Sequence, residues 1–256
     1  MSDAVASVII AGHSHIAALG VPIKGGTESF KQVKLSNGSE KFMGLTGNWP
    51  RDSGYWGELT RLVSGPQRLA LSWQGNQYLT RFMFSPTPKF DFVLSERPDL
   101  PLDSSHVIVP EQALHQLYRN TLNELAALLK RLPSEALGNL VLLGSPPPKE
   151  DDAHCRKYLE KEPGYGRIAA SLGFSLDTVE LSPALMRYKH WAVLQKVVKK
   201  LAAEFSVDFI PAPVEAQSEQ GFLKRNLWAE DATHANSAYG ELVLGAISAW
   251  VDSKKS

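Results

Sequence analysis

Short apolar runs alternate with longer amphipathic ones along most of the chain, and this alternation restricts the fold more than any other feature. "ASVIIAG" (6–12), "RLALSW" (68–73), "NLVLLGS" (139–145) and "SVDFIPA" (206–212) are rich in Val, Ile, Leu and Phe and are bounded by Gly, Pro or polar residues. That is the pattern of strands buried on both faces. "KQVKL" (31–35) reads as a further, weaker strand. Between them, 55–63 is amphipathic, and 110–132 opens with Pro110 and repeats Leu114, Leu117, Leu122, Leu125 and Leu129 at helical spacing. Segments 182–205, behind a Ser-Pro start, and 236–253 keep the same period. The alternation predicts right-handed βαβ units, hence an α/β fold in which a parallel sheet of about five strands is covered by helices on both faces. Residues 7–12 are expected as a central strand.

Composition narrows the partners. With 256 residues, 43% of them hydrophobic, the chain can bury a large core, expected as a single domain over 1–256. The formal net charge of zero gives no general basic field of the kind that gathers phosphate backbones or anionic lipid, so nucleic acid is not an expected partner. The lone Cys155 cannot staple the chain. "MSDAVASVIIAG" carries an aspartate and too short an apolar piece for a secretion signal, and no run reaches transmembrane length. A cytoplasmic location without membrane insertion is the expectation.

Three connections, 36–54, 77–109 and 144–166, are too long for plain turns and read as loops that can roof a site at the strand ends. One junction stands out. In "IIAGHSHIAALG" (9–20) an apolar strand runs into Gly12, His13, Ser14 and His15 and then into a helix-like segment. In open α/β sheets this is where ligands bind and helix N–H groups point. Near the other end, "AEDATHANSAYG" (229–240) sets Asp231 and His234 three residues apart before the last helical segment. Such a pair can hold a carboxylate on one imidazole nitrogen and leave the other free to take a proton from a hydroxyl. Ser14 offers that hydroxyl, and its own N–H and the Asn76 side chain offer donors for an oxyanion. Each residue also has a plainer use: Ser14 as a helix N-cap, Asp231 as a cap of the final helix, Asn76 as a turn residue.

Taken together, Gly12-His13-Ser14-His15, a glycine within 44–54, Gly75-Asn76 and Asp231-x-x-His234 resemble, in this order, the blocks of the SGNH (GDSL-type) hydrolases. The resemblance implies a flavodoxin-like three-layer α/β/α sandwich and a serine ester hydrolase needing no cofactor and no metal. It implies Ser14 as nucleophile, with His234 and Asp231 completing a triad. The N–H of Ser14, a loop glycine N–H and the Asn76 side chain would form the oxyanion hole. Gly47 is at a family-like distance, with Gly44 and Gly54 as competitors. His13 stands where the family usually has an acid before the nucleophile, and Gln77 where an Asp usually follows the Asn, so His13, His15, Gly75 and Gln77 are pocket candidates. The implied substrate is a small-molecule or carbohydrate-linked ester.

Other readings of the same residues stay open: an acyltransferase on the same triad, a metallohydrolase using His13, His15, Asp231 and His234, or a non-catalytic domain that binds a carbohydrate or phosphorylated ligand at the Gly12–Ser14 turn, with Trp49, Tyr55, Trp56, Trp73 and Tyr78 stacking on a sugar rather than completing a core. His106, His115, His154 and His190 fit no constellation.

Overall fold

The computed structural model describes the chain except for residues 1–7, 24–29, 39, 48–50, 52, 66, 74–76, 87 and 255–256. In chain order the strands are β1 (Val8–Gly12), β2 (Phe30–Lys34), β3 (Phe42–Gly47), β4 (Arg68–Ser72), β5 (Phe90–Asp91), β6 (Val107–Ile108), β7 (Leu140–Leu143) and β8 (Asp208–Ile210). The helices are α1 (Ser53–Val63), α2 (Gln77–Phe82), α3 (Glu111–Thr121), α4 (Asn123–Arg131), α5 (Ser134–Leu137), α6 (Asp152–Leu159), α7 (Pro163–Ser171), α8 (Ala184–Glu204) and α9 (Ser237–Ser253).

The main sheet has the order β2-β3-β1-β4-β7-β8, and every neighbouring pair is parallel except β2 with β3. Counted along the chain, its five parallel strands lie in the order 2-1-3-4-5, the flavodoxin-like arrangement. β5 and β6 pair separately. The pleat divides the core in two. Ile9, Ala11, Leu69, Leu71, Leu140 and Leu142 pack with α1, α3, α4 and α8, whereas Val8, Ile10, Ala70, Val141 and Leu143 pack against Ile16, Leu19 and α9. Both faces of the central strands are therefore covered, which is why they read as unbroken apolar runs. The result is a three-layer α/β/α sandwich.

Several expectations need correction. The 36–54 connection is not simply a loop, because it contains β3, whose Gly44 and Gly47 dilute the strand signal. Gly44 has a packing reason: a Cβ there would lie 2.8 Å from both methyl groups of Val21. "KQVKL" does form a strand, but an antiparallel one at the sheet edge. The 77–109 connection carries α2, β5 and β6, and 144–166 carries α6 and the start of α7. The 110–132 helix is two helices, broken at Leu122 (φ −101°, ψ 10°), and leucines of both halves remain buried. After β1 the helix-like segment is a six-residue 3-10 helix, Ser14–Leu19. Tyr55, Trp73 and Tyr78 are buried in the core and Trp56 packs against it. Trp49 lies outside the described residues.

Gly12 is required twice over. Its φ of 134° suits glycine, and a Cβ would lie 2.0 Å from the Ser72 carbonyl oxygen on β4. Gly12→Ala is therefore expected to destabilise the fold by about 3–5 kcal/mol, combining backbone strain with overpacking. A denaturant melt checks this, and a loss under about 1 kcal/mol would contradict it.

Candidate active site

The parallel order brings the carboxyl ends of β1, β3 and β4 to one edge, with β1 at the point where the winding direction reverses. Polar contacts fasten that edge. The Gly12 N–H donates to the Tyr55 hydroxyl at 2.7 Å, and Arg51 donates through Nε to the Gly12 carbonyl (3.1 Å) and through Nη1 to the Gly47 carbonyl. The Arg51 guanidinium also lies 4.4 Å from the centre of the Tyr55 ring. Burial raises the Tyr55 phenol to about 12, so it remains a neutral donor and acceptor. The His13 N–H donates to the Ser72 carbonyl at 3.0 Å, and Ser14 begins the 3-10 helix directly beyond.

Ser14 meets the distant Asp231–His234 loop there. His234 Nε2 is 2.8 Å from Ser14 Oγ, and His234 Nδ1 is 2.8 Å from Asp231 Oδ2. The other carboxylate oxygen, Oδ1, accepts the backbone N–H groups of Thr233 (2.8 Å) and His234 (2.6 Å). This local turn explains the three-residue spacing, because it folds residue 234 back onto its own acid. Burial opposes the Asp231 charge, yet the side-chain bond to His234, the His234 charge and the two N–H donors outweigh it, holding the carboxyl well below its usual range. An ionised carboxylate can only accept, so the proton sits on His234 Nδ1 and Nε2 is left to accept from the Ser14 hydroxyl.

The plainer uses do not account for Ser14 and Asp231. His13, not Ser14, occupies the N-cap position of the 3-10 helix, and α9 is capped by Asn236, whose side chain accepts from the N–H groups of Ala238 and Tyr239. His13 and His15 diverge, as their spacing requires: the His13 ring lies 5.2 Å from Trp56 and 5.1 Å from Trp73, whereas the His15 ring lies 5.0 Å from His234. Among the described residues no three His, Cys, Asp or Glu side chains are grouped to hold a metal ion. Gly47 ends β3 at the same sheet edge, Gly44 lies within β3, and Gly54 belongs to α1 rather than to a loop. Gln77 is buried at the start of α2, while Gly75 and Asn76 lie outside the described residues. No helix among the described residues is long and apolar enough to cross a membrane.

Four side chains around this chain of hydrogen bonds were not singled out as polar partners by sequence: Arg51, Tyr55, Lys149 and His154. Lys149 Nζ donates to the carbonyl oxygens of Ala229 and Asp231, and His154 Nε2 lies 3.0 Å from the latter. His154 thus has a place after all. The one available hint was the Pro146–Pro148 run after β7, which ends on Lys149.

Burial lowers His15 and His190 to about 3 and His13 to about 4, with the His234 charge adding at His15 and Arg51 at His13. Folding thus holds these rings neutral. Their stabilising effect is complete above the ordinary value of 6.5 and is lost as pH falls from there toward about 3–4, because the unfolded chain takes up protons first. At pH 5 the loss is expected to be about 2 kcal/mol for each of the two fully buried rings. Denaturant midpoints measured from pH 7.5 to 5 check this, and His190→Phe is expected to flatten the slope.

No family model matches the chain, and no curated protein sequence is significantly similar to it. Among solved structures, the chain is similar to an extracellular lipase from Streptomyces rimosus, with 15% identity, TM-score 0.46, and coverage of 94% of this chain and 98% of the lipase. It is also similar to Est24, a carbohydrate acetylesterase from Sinorhizobium meliloti (12% identity, TM-score 0.41, 96% and 98% coverage). A third similar structure is phospholipase A1 from Streptomyces albidoflavus NA297 (12% identity, TM-score 0.42, 93% and 95% coverage).

Proposed function

We propose that this chain is a serine ester hydrolase of SGNH type, acting on a small-molecule or carbohydrate-linked ester. The observation that carries the reading is the pair of 2.8 Å hydrogen bonds linking Ser14 to His234 and His234 to Asp231, between segments 220 residues apart. Ser14 Oγ attacks the ester carbonyl while His234 Nε2 takes its proton, and Asp231 holds the ring in the required tautomer and stabilises the imidazolium. Collapse of the tetrahedral intermediate expels the alcohol, to which His234 returns the proton. Water, activated by the same imidazole, then releases the acid from Ser14.

The negative oxygen of the intermediate needs preorganised donors. The Ser14 N–H, the Gly47 N–H and the Asn76 side-chain amide are assigned to it. Arg51 supports this assignment, because its guanidinium ties the Gly47 carbonyl to the Gly12 carbonyl and brings positive charge to that edge. The test is a panel of short- and long-chain p-nitrophenyl esters together with labelling by a fluorophosphonate. Turnover and labelling that both require Ser14 are expected, and a wild-type protein inert in both assays would overturn the reading.

A further inference from the structure

Lys149 has a fully buried side chain, an arrangement that is expensive unless the ammonium is paired and hydrogen-bonded. Its partners converge from one loop. Nζ donates to the Ala229 carbonyl (2.7 Å) and to the Asp231 carbonyl, and lies 3.4 Å from Asp231 Oδ1, the carboxylate oxygen not turned to the imidazole. The main chain of Lys149 is itself held: its carbonyl accepts from Arg187 Nη2 at 3.1 Å, and the preceding Pro148 carbonyl accepts from the Leu223 N–H at 3.0 Å. Arg187, also buried, pairs with Asp152 at 2.7 Å, so its charge is not directed at the loop. A rigid proline run thus delivers one ammonium to the back of the Asp231 turn.

We infer that Lys149 is a positioning residue for the Asp231–His234 pair: its ammonium gathers two carbonyls and a carboxylate oxygen of the 229–234 loop and so sets where Oδ2 meets the imidazole. The inference rests on the ester-hydrolase reading for its kinetic consequence, but not for its structural one. A misplacement of about 1 Å at a reacting group can cost about 10² in rate. Without the ammonium, the Ala229 carbonyl loses its side-chain donor and the Asp231 carbonyl keeps only His154 Nε2, so the turn loosens.

The test uses the full chain with Lys149→Met, Lys149→Gln and Lys149→Arg. Lys149→Met is expected to lower kcat about 10²-fold with KM within about twofold, and Lys149→Arg to recover much of the loss. Lys149→Gln keeps a donor without the charge and serves as the reading if the Met variant does not fold. The second measurement is the NMR position of the His234 Nδ1 proton, expected at low field in the wild type and displaced upfield in the Met or Gln variant. Wild-type kcat together with an unmoved proton in the folded neutral variant would overturn the inference. If the wild type itself shows no Ser14-dependent turnover, the ester-hydrolase reading falls, and the proton position alone decides the role of Lys149.

Discussion

Ser14→Ala is expected to lower kcat for p-nitrophenyl esters by about 10⁴-fold or more and to abolish fluorophosphonate labelling. The expectation follows from what the proposed mechanism asks of Oγ, the atom that would form the acyl bond; among the described residues no second hydroxyl lies on His234 Nε2. The fold should tolerate the change. Among the described residues Oγ makes one hydrogen bond, to His234, so its loss is expected to shift stability by about 1 kcal/mol. His234→Ala should lower kcat by a similar factor, and the Ser14→Ala/His234→Ala double variant should be little worse than either alone, because nucleophile and base act as one unit. Additive losses, or a Ser14→Ala protein with near wild-type turnover, would place the chemistry elsewhere.

The second large effect concerns the developing oxyanion. Asn76→Ala is expected to lower kcat by about 10²–10³ while changing KM little, because a donor aimed at the tetrahedral oxygen is worth more in the transition state than in the ground state. Ser14 should still react with a fluorophosphonate, more slowly. This variant separates a working oxyanion hole from a bare Ser-His-Asp arrangement, in which Asn76 is only a turn residue. An unchanged kcat for Asn76→Ala would leave the proposed mechanism without its main electrostatic stabiliser.

Much of this molecule was legible in the sequence because the relevant physics is local. Strands buried on both faces must be apolar throughout, so β1, β4 and β7 could be read directly, and β8 was found too although it is a half-buried edge strand that starts at Asp208. In contrast, β3 was missed: its Gly44 is there for Val21 to pack on, a contact no window reveals. The Asp231-x-x-His234 spacing was also readable, since a carboxylate accepting the N–H groups of residues 233 and 234 needs only a few residues of chain. Residue type, the strand-to-helix junction, the Asp-x-x-His spacing and the resemblance together singled out Ser14, His234 and Asp231 as chemically complementary candidates.

What the tertiary structure decided is everything that depends on how distant segments cross. The reversal of winding at β1, together with the packing of Ile16 and Leu19 against α9, puts Ser14 opposite the 229–234 loop. The break of the long leucine-patterned segment at Leu122 is likewise invisible to a period that continues through it. Arg51 and Lys149 carry the sharpest lesson. A lysine after three prolines and an arginine in a polar stretch carry no local signal of their partners, because the cost of burying them and the oxygens that offset it appear only once the strand ends have been brought together. Sequence by itself determined the layers and offered Ser14, Asp231 and His234 as candidates; the crossovers decided where those side chains meet and what holds them there, since hydrogen bonds act over about 3 Å while the partners stand up to 220 residues apart.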